Sequence, residues 1–375
     1  MQIDLIATTT FGLEAVAKRE IQKLGYNILS VEDGRITYRA DERGIVKSNL
    51  WLRTPDRIYM KVLDFKALEF EELFQNVKGY AWEELIPIDG EFTVVGSSVK
   101  SKLHSVPACQ SIVKKAIVER LKDFYCVDHF KEDGAKFKVR FNILKDRVIV
   151  MVDTSGEALH KRGYRSATVP APLKETLAAA LIDLSFWNKD RVLEVPCCGS
   201  GTLAIEAAMI GMNIAPGLNR SFASQEWEYI PSEMWKEEKK NAYAQIDNDV
   251  KLSIRATDIL QEAVDATIEN AINAGVDENI VVKMEDIKDF VPKCENGIMI
   301  LNPPYGKRIG DEEELKKIYT AIYKLTNDRD DWSVYAITSD EEFEDRACGR
   351  KADRRRKLFH GNIKVCYYQY HGKRR

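Results

Sequence analysis

Hydrophobic and polar positions in the first part of the chain follow the periods of a small α+β unit. Residues 2–7 read as a short strand. Between 11 and 24, Leu13, Val16, Ala17, Ile21 and Leu24 recur at helical spacing, and Gly25 ends the run. Residues 28–31 and 35–38 carry a hairpin pattern around Asp33-Gly34, 45–52 read as a helix, and 56–65 as a strand. From 67 to about 156 a second α+β pattern follows. Residues 70–78 and 81–85 read as helical and 92–97 as a strand. Residues 105–124 form a long amphipathic helix with Ile112, Val113, Ala116, Ile117 and Leu121 on one stripe. Residues 137–144 and 147–153 pair as strands turning at Lys145-Asp146.

The stretch 157–174 differs: it is basic, holds two prolines and lacks a period. It marks a boundary, so the expected organisation is 1–65, 66–156, a linker at 157–174, and 175–375. Beyond it strands and helices alternate. Helices are expected at 174–185, 203–209 and 261–274, and strands at 191–195, 252–257, 280–283, 297–301, 333–338 and 363–370. Such alternation predicts an α/β fold with a mostly parallel sheet and helices on both faces.

Composition adds limits. The 375 residues suggest two to three domains, and 45% hydrophobic with 31% charged residues is an ordinary globular balance. No apolar run approaches a membrane span, and the N-terminus lacks the layout of a secretory signal. The net charge is −3, so any case for nucleic acid rests on where the cations lie. Basic runs occur at His160-Lys161-Arg162-Gly163-Tyr164-Arg165, Arg354-Arg355-Arg356-Lys357 and Lys373-Arg374-Arg375. Lys100, Lys102, Lys114 and Lys115 mark another candidate surface near the helix at 105–124. Each run alone reads as a solvated face; together they are compatible with one basic, RNA-facing side. The seven cysteines form no CxxC pair, which argues against a disulfide framework or a zinc site and for the reducing cytoplasm. His104, His129, His360 and His371 have no partner spacing, so no metal is expected, and Glu226-Trp227 reads as core.

Three features carry chemistry. Cys198-Gly199-Ser200-Gly201-Thr202 lies between an apolar strand and an apolar helix, where glycines let a ligand approach the backbone and the helix start offers N–H groups. The motif matches neither the ATP nor the NAD fingerprint, and alone it could be a tight turn. Asp258 and Asp286 each follow a strand. Either could cap a helix; in order after the glycine loop they suit a ribose diol and an exocyclic amine. Asn302-Pro303-Pro304-Tyr305-Gly306 ends the next strand. Asn-Pro-Pro-Tyr arises by chance in roughly one per thousand chains of this length. Its prolines fix φ and remove N–H donors, leaving a rigid set of acceptors for a substrate amine, and Tyr305 offers a face for a flipped base.

These motifs, in this order, resemble those of class I S-adenosylmethionine-dependent amino-methyltransferases. Residues 153–165, Ala171-Pro172-Leu173-Lys174-Glu175, Ile214-Ala215-Pro216-Gly217-Leu218 and Gly349-Arg350-Lys351-Ala352-Asp353 narrow the resemblance. They are similar to bacterial THUMP-domain 23S rRNA guanine-N2 methyltransferases, over essentially the whole chain. The resemblance implies a ferredoxin-like unit at 1–65, an RNA-binding THUMP domain at 66–156 and a Rossmann-like methyltransferase domain at 175–375. It implies S-adenosylmethionine held by Thr176, Pro196, Cys198, Gly199, Ser200, Gly201, Thr202, Asp258, Ile259, Asp286, Ile287 and Asn302. Asn302, Pro303, Pro304 and Tyr305 would be catalytic. Lys161, Arg162, Tyr164, Arg165, Arg354, Arg355 and Arg356 would bind RNA, either 23S rRNA or its ribosomal precursor. The larger bifunctional relatives carry a second methylase domain, so only the guanine-N2 activity is expected here. One residue departs from the family pattern: Val195 stands where Asp is usual before Pro196, with Glu194 one residue earlier on the opposite strand face. Glu175 or Thr176 could compensate. Two other readings compete. One keeps the chemistry with another target, such as tRNA guanine, adenine N6 or a glutamine side chain. The other, motivated by Val195, is an RNA-binding or ribosome-assembly module with a decayed cofactor site.

Overall fold

A computed structural model describes residues 2–169, 172–292, 294–303 and 312–373. The N-terminal part is built on one sheet. Its strands are β1 (Ile3–Thr8), β2 (Asn27–Glu32), β3 (Arg35–Ala40), β4 (Arg57–Lys66), β5 (Glu91–Val99), β6 (Lys136–Leu144) and β7 (Arg147–Asp153). They lie in the order β2-β3-β1-β4-β7-β6-β5, antiparallel except for β5 and β6. Gly34 turns the first hairpin at φ +73°, a conformation without steric cost only for glycine. The segments 1–65 and 66–156 therefore share a sheet, joined where β4 pairs with β7 from Tyr59↔Asp153 to Lys66↔Arg147. Helices α1 (Glu14–Lys23), α2 (Glu42–Trp51), α3 (Phe70–Lys78) and α4 (Val106–Tyr125) cover it. The Asp41 side chain caps α2 by accepting from Gly44 N at 2.8 Å. In α4, Val113, Ala116, Ile117 and Leu121 are buried as their spacing predicts.

The C-terminal part is a second seven-stranded sheet. β8 (Leu193–Pro196), β9 (Ile254–Asp258), β10 (Ile280–Met284), β11 (Ile298–Leu301), β12 (Ser333–Thr338), β13 (Arg354–His360) and β14 (Ile363–Tyr370) run in the order β10-β9-β8-β11-β12-β14-β13. The first five are parallel; β14 is antiparallel to both β12 and β13. Helices α5 (Glu175–Leu184), α6 (Thr202–Gly211), α7 (Ser232–Ala244), α8 (Gln261–Ala274) and α9 (Glu312–Asp328) connect or flank these strands. Strand order reverses between β8 and β11, and in such sheets the crevice at the carboxyl ends of those two strands is where ligands bind.

The two parts are interlocked. Leu13, just before α1, and Val16 within it bury in the C-terminal core. Phe222, Trp227, Ile230 and Trp235 bury in the N-terminal one. Trp227 stacks on Phe137 with ring centroids 5.0 Å apart, and its indole N–H donates to Lys136 O at 3.2 Å. Trp227 is core as expected, whereas Glu226 is exposed.

The expectation of a linker at 157–174 is corrected by its packing. Leu159, Arg162, Tyr164 and Leu173 are buried, so the segment is a strap pressed between the two parts. The Arg162 guanidinium donates to Leu159 O at 2.8 Å and Arg53 O at 2.5 Å, and it pairs with Glu206 at 3.4 Å. Tyr164 donates to the same carboxylate at 3.3 Å. Side-chain exposure of the pair is 2% for Arg162 and 0% for Glu206. Removing one partner strands a buried charge, whereas removing both does not. Arg162→Ala is therefore expected to destabilise the protein by about 3–5 kcal/mol. Arg162→Met combined with Glu206→Leu should recover most of that loss. Urea midpoints followed by tryptophan fluorescence check both.

Candidate active site

β8 delivers Pro196 to the crevice, and the chain then turns through Cys197, Cys198, Gly199, Ser200 and Gly201 before α6 begins at Thr202. Gly201 sits at φ +80°, and a Cβ there would lie 2.6 Å from Thr267 Cγ2, so the position admits only glycine without rearrangement. The loop is clamped by α8. Thr267 Oγ1 donates to Gly199 O at 2.9 Å and Asn270 Nδ2 to Ser200 O at 3.1 Å. Asn270 also holds the strap, donating to Ala167 O at 2.9 Å and accepting from the Ser166 and Ala167 N–H groups. With these carbonyls engaged, the N-terminal turn of α6, whose first N–H groups lack intrahelical partners, presents the positive end of its dipole at the loop.

Asp258 does two jobs at the end of β9. Its Oδ2 accepts from Gly199 N at 2.9 Å and its Oδ1 from Leu260 N at 3.1 Å. Each carboxylate oxygen keeps a second lone pair, so the side chain ties two loops together and can still accept from a ribose hydroxyl. Asp286 accepts from Lys288 N at 3.0 Å and pairs with the Lys288 ammonium at 2.9 Å. Partial burial works to raise its pKa, but these Lys288 contacts outweigh burial and hold the carboxyl below its usual range. Ile259 is exposed beside Asp258, while Ile287 is buried. Thr176, expected near the cofactor, donates instead to Asp56 of the N-terminal part at 3.1 Å. The Cys198 thiol, 3.5 Å from Thr267 Oγ1, is pushed up to about 12 by burial, so it stays protonated and packs.

Asn302 follows β11 directly and faces the loop across a cleft of about 60 Å³. Its carboxamide oxygen is buried and has no hydrogen-bond partner among the described residues. Pro303 is buried beside it. Pro304 and Tyr305 lie outside the described residues, as do Gly306, Ala171, Arg374 and Arg375.

The candidate RNA residues separate into two groups. Arg162 and Tyr164 are corrected: both are buried on Glu206, so neither is a free surface group. Arg165 is turned inward too. It pairs with Glu175 at 2.8 Å and donates to Ser200 Oγ at 2.6 Å and Thr202 Oγ1 at 2.8 Å. Lys161 is exposed and pairs with Glu157. Arg354, Arg355 and Arg356 lie on the edge strand β13 along a cleft of about 780 Å³. Arg354 and Arg355 are exposed there, the latter paired with Glu344 at 2.8 Å. Arg356 donates to Gly12 O at 2.8 Å. Val195 is buried, and Glu194 pairs with Arg255 at 2.7 Å. Besides Asp258, the charged group that reaches the loop is therefore Arg165, itself held by Glu175. Sequence reasoning assigned neither Thr267 nor Asn270 to the site. Their signal was present: two polar residues three apart, on the face of α8 that also buries Ala263, Val264, Ala271 and Ala274.

Comparison with known proteins extends this picture. Residues 162–369 match the family of RMKL-like methyltransferase domains, 4–59 an RlmL ferredoxin-like domain and 67–153 a THUMP domain. The chain is 47% identical over 371 residues to the putative RNA methyltransferase YpsC of Bacillus subtilis, covering 98% of this chain and 96% of that one. It is 31% identical to the ribosomal RNA large subunit methyltransferase K/L of Psychromonas ingrahamii, covering 96% of this chain but only 49% of that longer relative. Among solved structures, a possible methylase from Clostridium difficile superposes with a TM-score of 0.96 at 46% identity, covering 100% of this chain and 99% of that one. SMU.472, a putative methyltransferase complexed with SAH, superposes at 0.93 with 42% identity, covering 100% and 99%. TrmN from Thermus thermophilus, at 17% identity and a TM-score of 0.71, shares the fold.

Substitution at the loop tests the clamp. Gly201→Ala is expected to weaken S-adenosylmethionine binding at least tenfold by calorimetry. Gly275→Ala is the matched control, at φ +67° with nothing within 4 Å of the added Cβ, and should leave binding unchanged.

Proposed function

Since the chain belongs to the RMKL-like methyltransferase family, we propose that it transfers the methyl group of S-adenosylmethionine to the 2-amino group of a guanosine in large-subunit ribosomal RNA. The observation that carries this reading is the buried, unpartnered carboxamide oxygen of Asn302 at the mouth of the glycine loop. An orphaned acceptor costs roughly 1–3 kcal/mol unless a donor fills it. The exocyclic amine of guanine is such a donor. A ring nitrogen such as N7 carries no hydrogen and gains nothing from it. The match of 67–153 to a THUMP domain favours RNA over protein or duplex DNA, and the K/L relatives favour the large ribosomal subunit.

The residues fit the cofactor: a clamped glycine loop at a helix start, an acid at the end of β9 and a second after β10. When bound, S-adenosylmethionine supplies a methyl group activated by its sulfonium. The loop and Asp258 hold the nucleoside end. The guanine amine is a poor nucleophile because its lone pair is delocalised into the ring. Accepting its hydrogens at Asn302 Oδ1 and the Pro303 carbonyl favours a more tetrahedral, reactive nitrogen. The resemblance assigns to Tyr305 the stacking of the flipped base. The methylated amine is acidic and releases its proton to solvent, so catalysis is largely positioning.

Asn302→Ala is expected to lower the methylation rate by roughly 10- to 100-fold, the loss of one charge-polarising hydrogen bond. A variant that keeps more than about half the wild-type rate would remove Asn302 from the chemistry. The assay is transfer from labelled S-adenosylmethionine to rRNA and to tRNA from cells lacking this gene, followed by nucleoside mass spectrometry. N2-methylguanosine confined to large-subunit rRNA is the expected product. The same nucleoside in tRNA alone overturns the target. No transfer, together with no cofactor heat in calorimetry, leaves an RNA-binding module.

A further inference from the structure

The strap and the start of α5 enclose a second cleft of about 700 Å³, which shares the wall formed by Pro172 and Leu173 with the cleft at Asn302. Five cations line it, Lys161, Arg162, Arg165, Lys174 and Arg220, against two carboxylates, Glu157 and Glu175. Three of the five are matched: Lys161 by Glu157, Arg162 by Glu206 and Arg165 by Glu175. Among the described residues, no carboxylate lies within ion-pair distance of Lys174 or Arg220. Arg220 lies over the Phe222 ring, 4.9 Å from its centroid, and donates to Ala158 O at 2.7 Å, Glu157 O at 2.7 Å and Lys161 O at 3.0 Å. Those dipoles fix the guanidinium without neutralising it. Lys174 is the N-cap of α5 and its side chain makes no capping bond, so the first-turn N–H groups of a ten-residue helix open at the same place. His160 adds a buried ring nitrogen, Nδ1, with no partner. Asp56 acts on Lys174, and Glu157 and Asp153 on Arg220, only from beyond ion-pair distance, so partly compensated charge, a helix N-terminus and a spare ring nitrogen converge on one cleft in a protein whose net charge is −3.

We propose that this cleft takes a backbone phosphate of the substrate RNA, adjacent to the nucleotide whose base enters the Asn302 cleft. The proposal rests on the RNA methyltransferase reading above and names where the strand is held. The shared wall puts the phosphate one side-chain layer from the base, so binding here sets the distance from strand to methyl donor. Burial, followed by the charges of Lys174, Arg162, Lys161 and Arg220, brings His160 down to about 4. Its ring is therefore neutral, and in the tautomer with the proton on Nδ1 it donates to a phosphate oxygen.

The test uses the full chain, a 23S rRNA transcript and the variant Lys174→Gln. Binding is followed by fluorescence between about 50 and 200 mM salt, where each lost phosphate contact lowers the log–log slope by about 1. The expected result is weaker binding with a shallower slope, and a raised KM for RNA with kcat little changed. S-adenosylmethionine affinity should stay at the wild-type value, and Lys174→Arg should restore the slope. Arg220→Lys, which keeps the charge while loosening the strap, should leave the slope intact. An unchanged slope and KM in Lys174→Gln overturns the proposal. So does inorganic phosphate that binds and depends on Lys174 yet does not compete with the transcript, which would assign the cleft to a free anion. Failure of the functional reading shows separately, in a wild-type chain that binds the transcript but methylates no RNA.

Discussion

The buried contact between Arg162 and Glu206 is the constraint on which the site depends. Glu206 sits on α6 one turn beyond Thr202, directly after the cofactor loop, with no solvent exposure. A carboxylate there is tolerable only when its partner is present and that partner's other donors are satisfied. Those donors go to Leu159 O in the strap and to Arg53 O after α2. The ion pair therefore forms only when the N-terminal part, the strap and α6 are all in place. Arg53 adds a second tie, donating to Ile214 O beyond the far end of α6 at 2.6 Å. The helix that carries the loop is thus gripped at both ends by the part of the protein matched to the ferredoxin-like domain.

From that anchor the positions of the other groups follow. With Arg162 fixed, Arg165 falls over the loop and joins Glu175 to Ser200 and Thr202, while Ser166 and Ala167 reach Asn270. Asn270 holds strap and loop together, because its carboxamide bonds to both. The strap is also one wall of two clefts, one holding an acceptor for a base and one holding unmatched cations. A protein with nearly balanced charge can in this way present strong local positive charge to a polyanion, since screening leaves only nearby charges effective.

How far the sequence could be read depended on whether a pattern was local. Strict periodicity located the stripe of α4, the strand β12 and the helix α8 to within a residue or two, since their buried positions are mostly apolar. The ordered glycine loop, Asp258, Asp286 and Asn302 were legible because each ends a strand of a sheet whose topology fixes what meets at its edge. Three kinds of feature were not. β13 carries Arg354 to Lys357, with Leu358 its one buried position, and becomes a strand by pairing with β14. α7 buries Trp235, Glu238 and Ala242, and its charged Glu238 is explained by Arg43 of α2, 2.5 Å away. The strap's cations read as an RNA-facing run because sequence shows charge but not the buried acid, 44 residues on, that turns Arg162 inward.

Val195 is the residue that argues most directly for a decayed site, and the structure bears on it from two sides. Its neighbour Glu194 cannot stand in, because it is committed to Arg255, which also engages Glu285 at 2.9 Å. Arg165 does reach the loop from the strap, and Glu175 of α5 holds it there. Against decay stands the cost of what remains. A simple turn would need neither Gly201 in a left-handed conformation against Thr267 nor a buried Asn302 oxygen without a partner. The glycine holds its conformation without strain, whereas the orphaned oxygen is unfavourable until a donor occupies the crevice. A site that had lost its ligands would gain stability by pairing or exposing that oxygen. That this oxygen persists beside intact Asp258 contacts weighs against decay and is consistent with a departure at Val195 that changes how one end of a bound cofactor would be contacted.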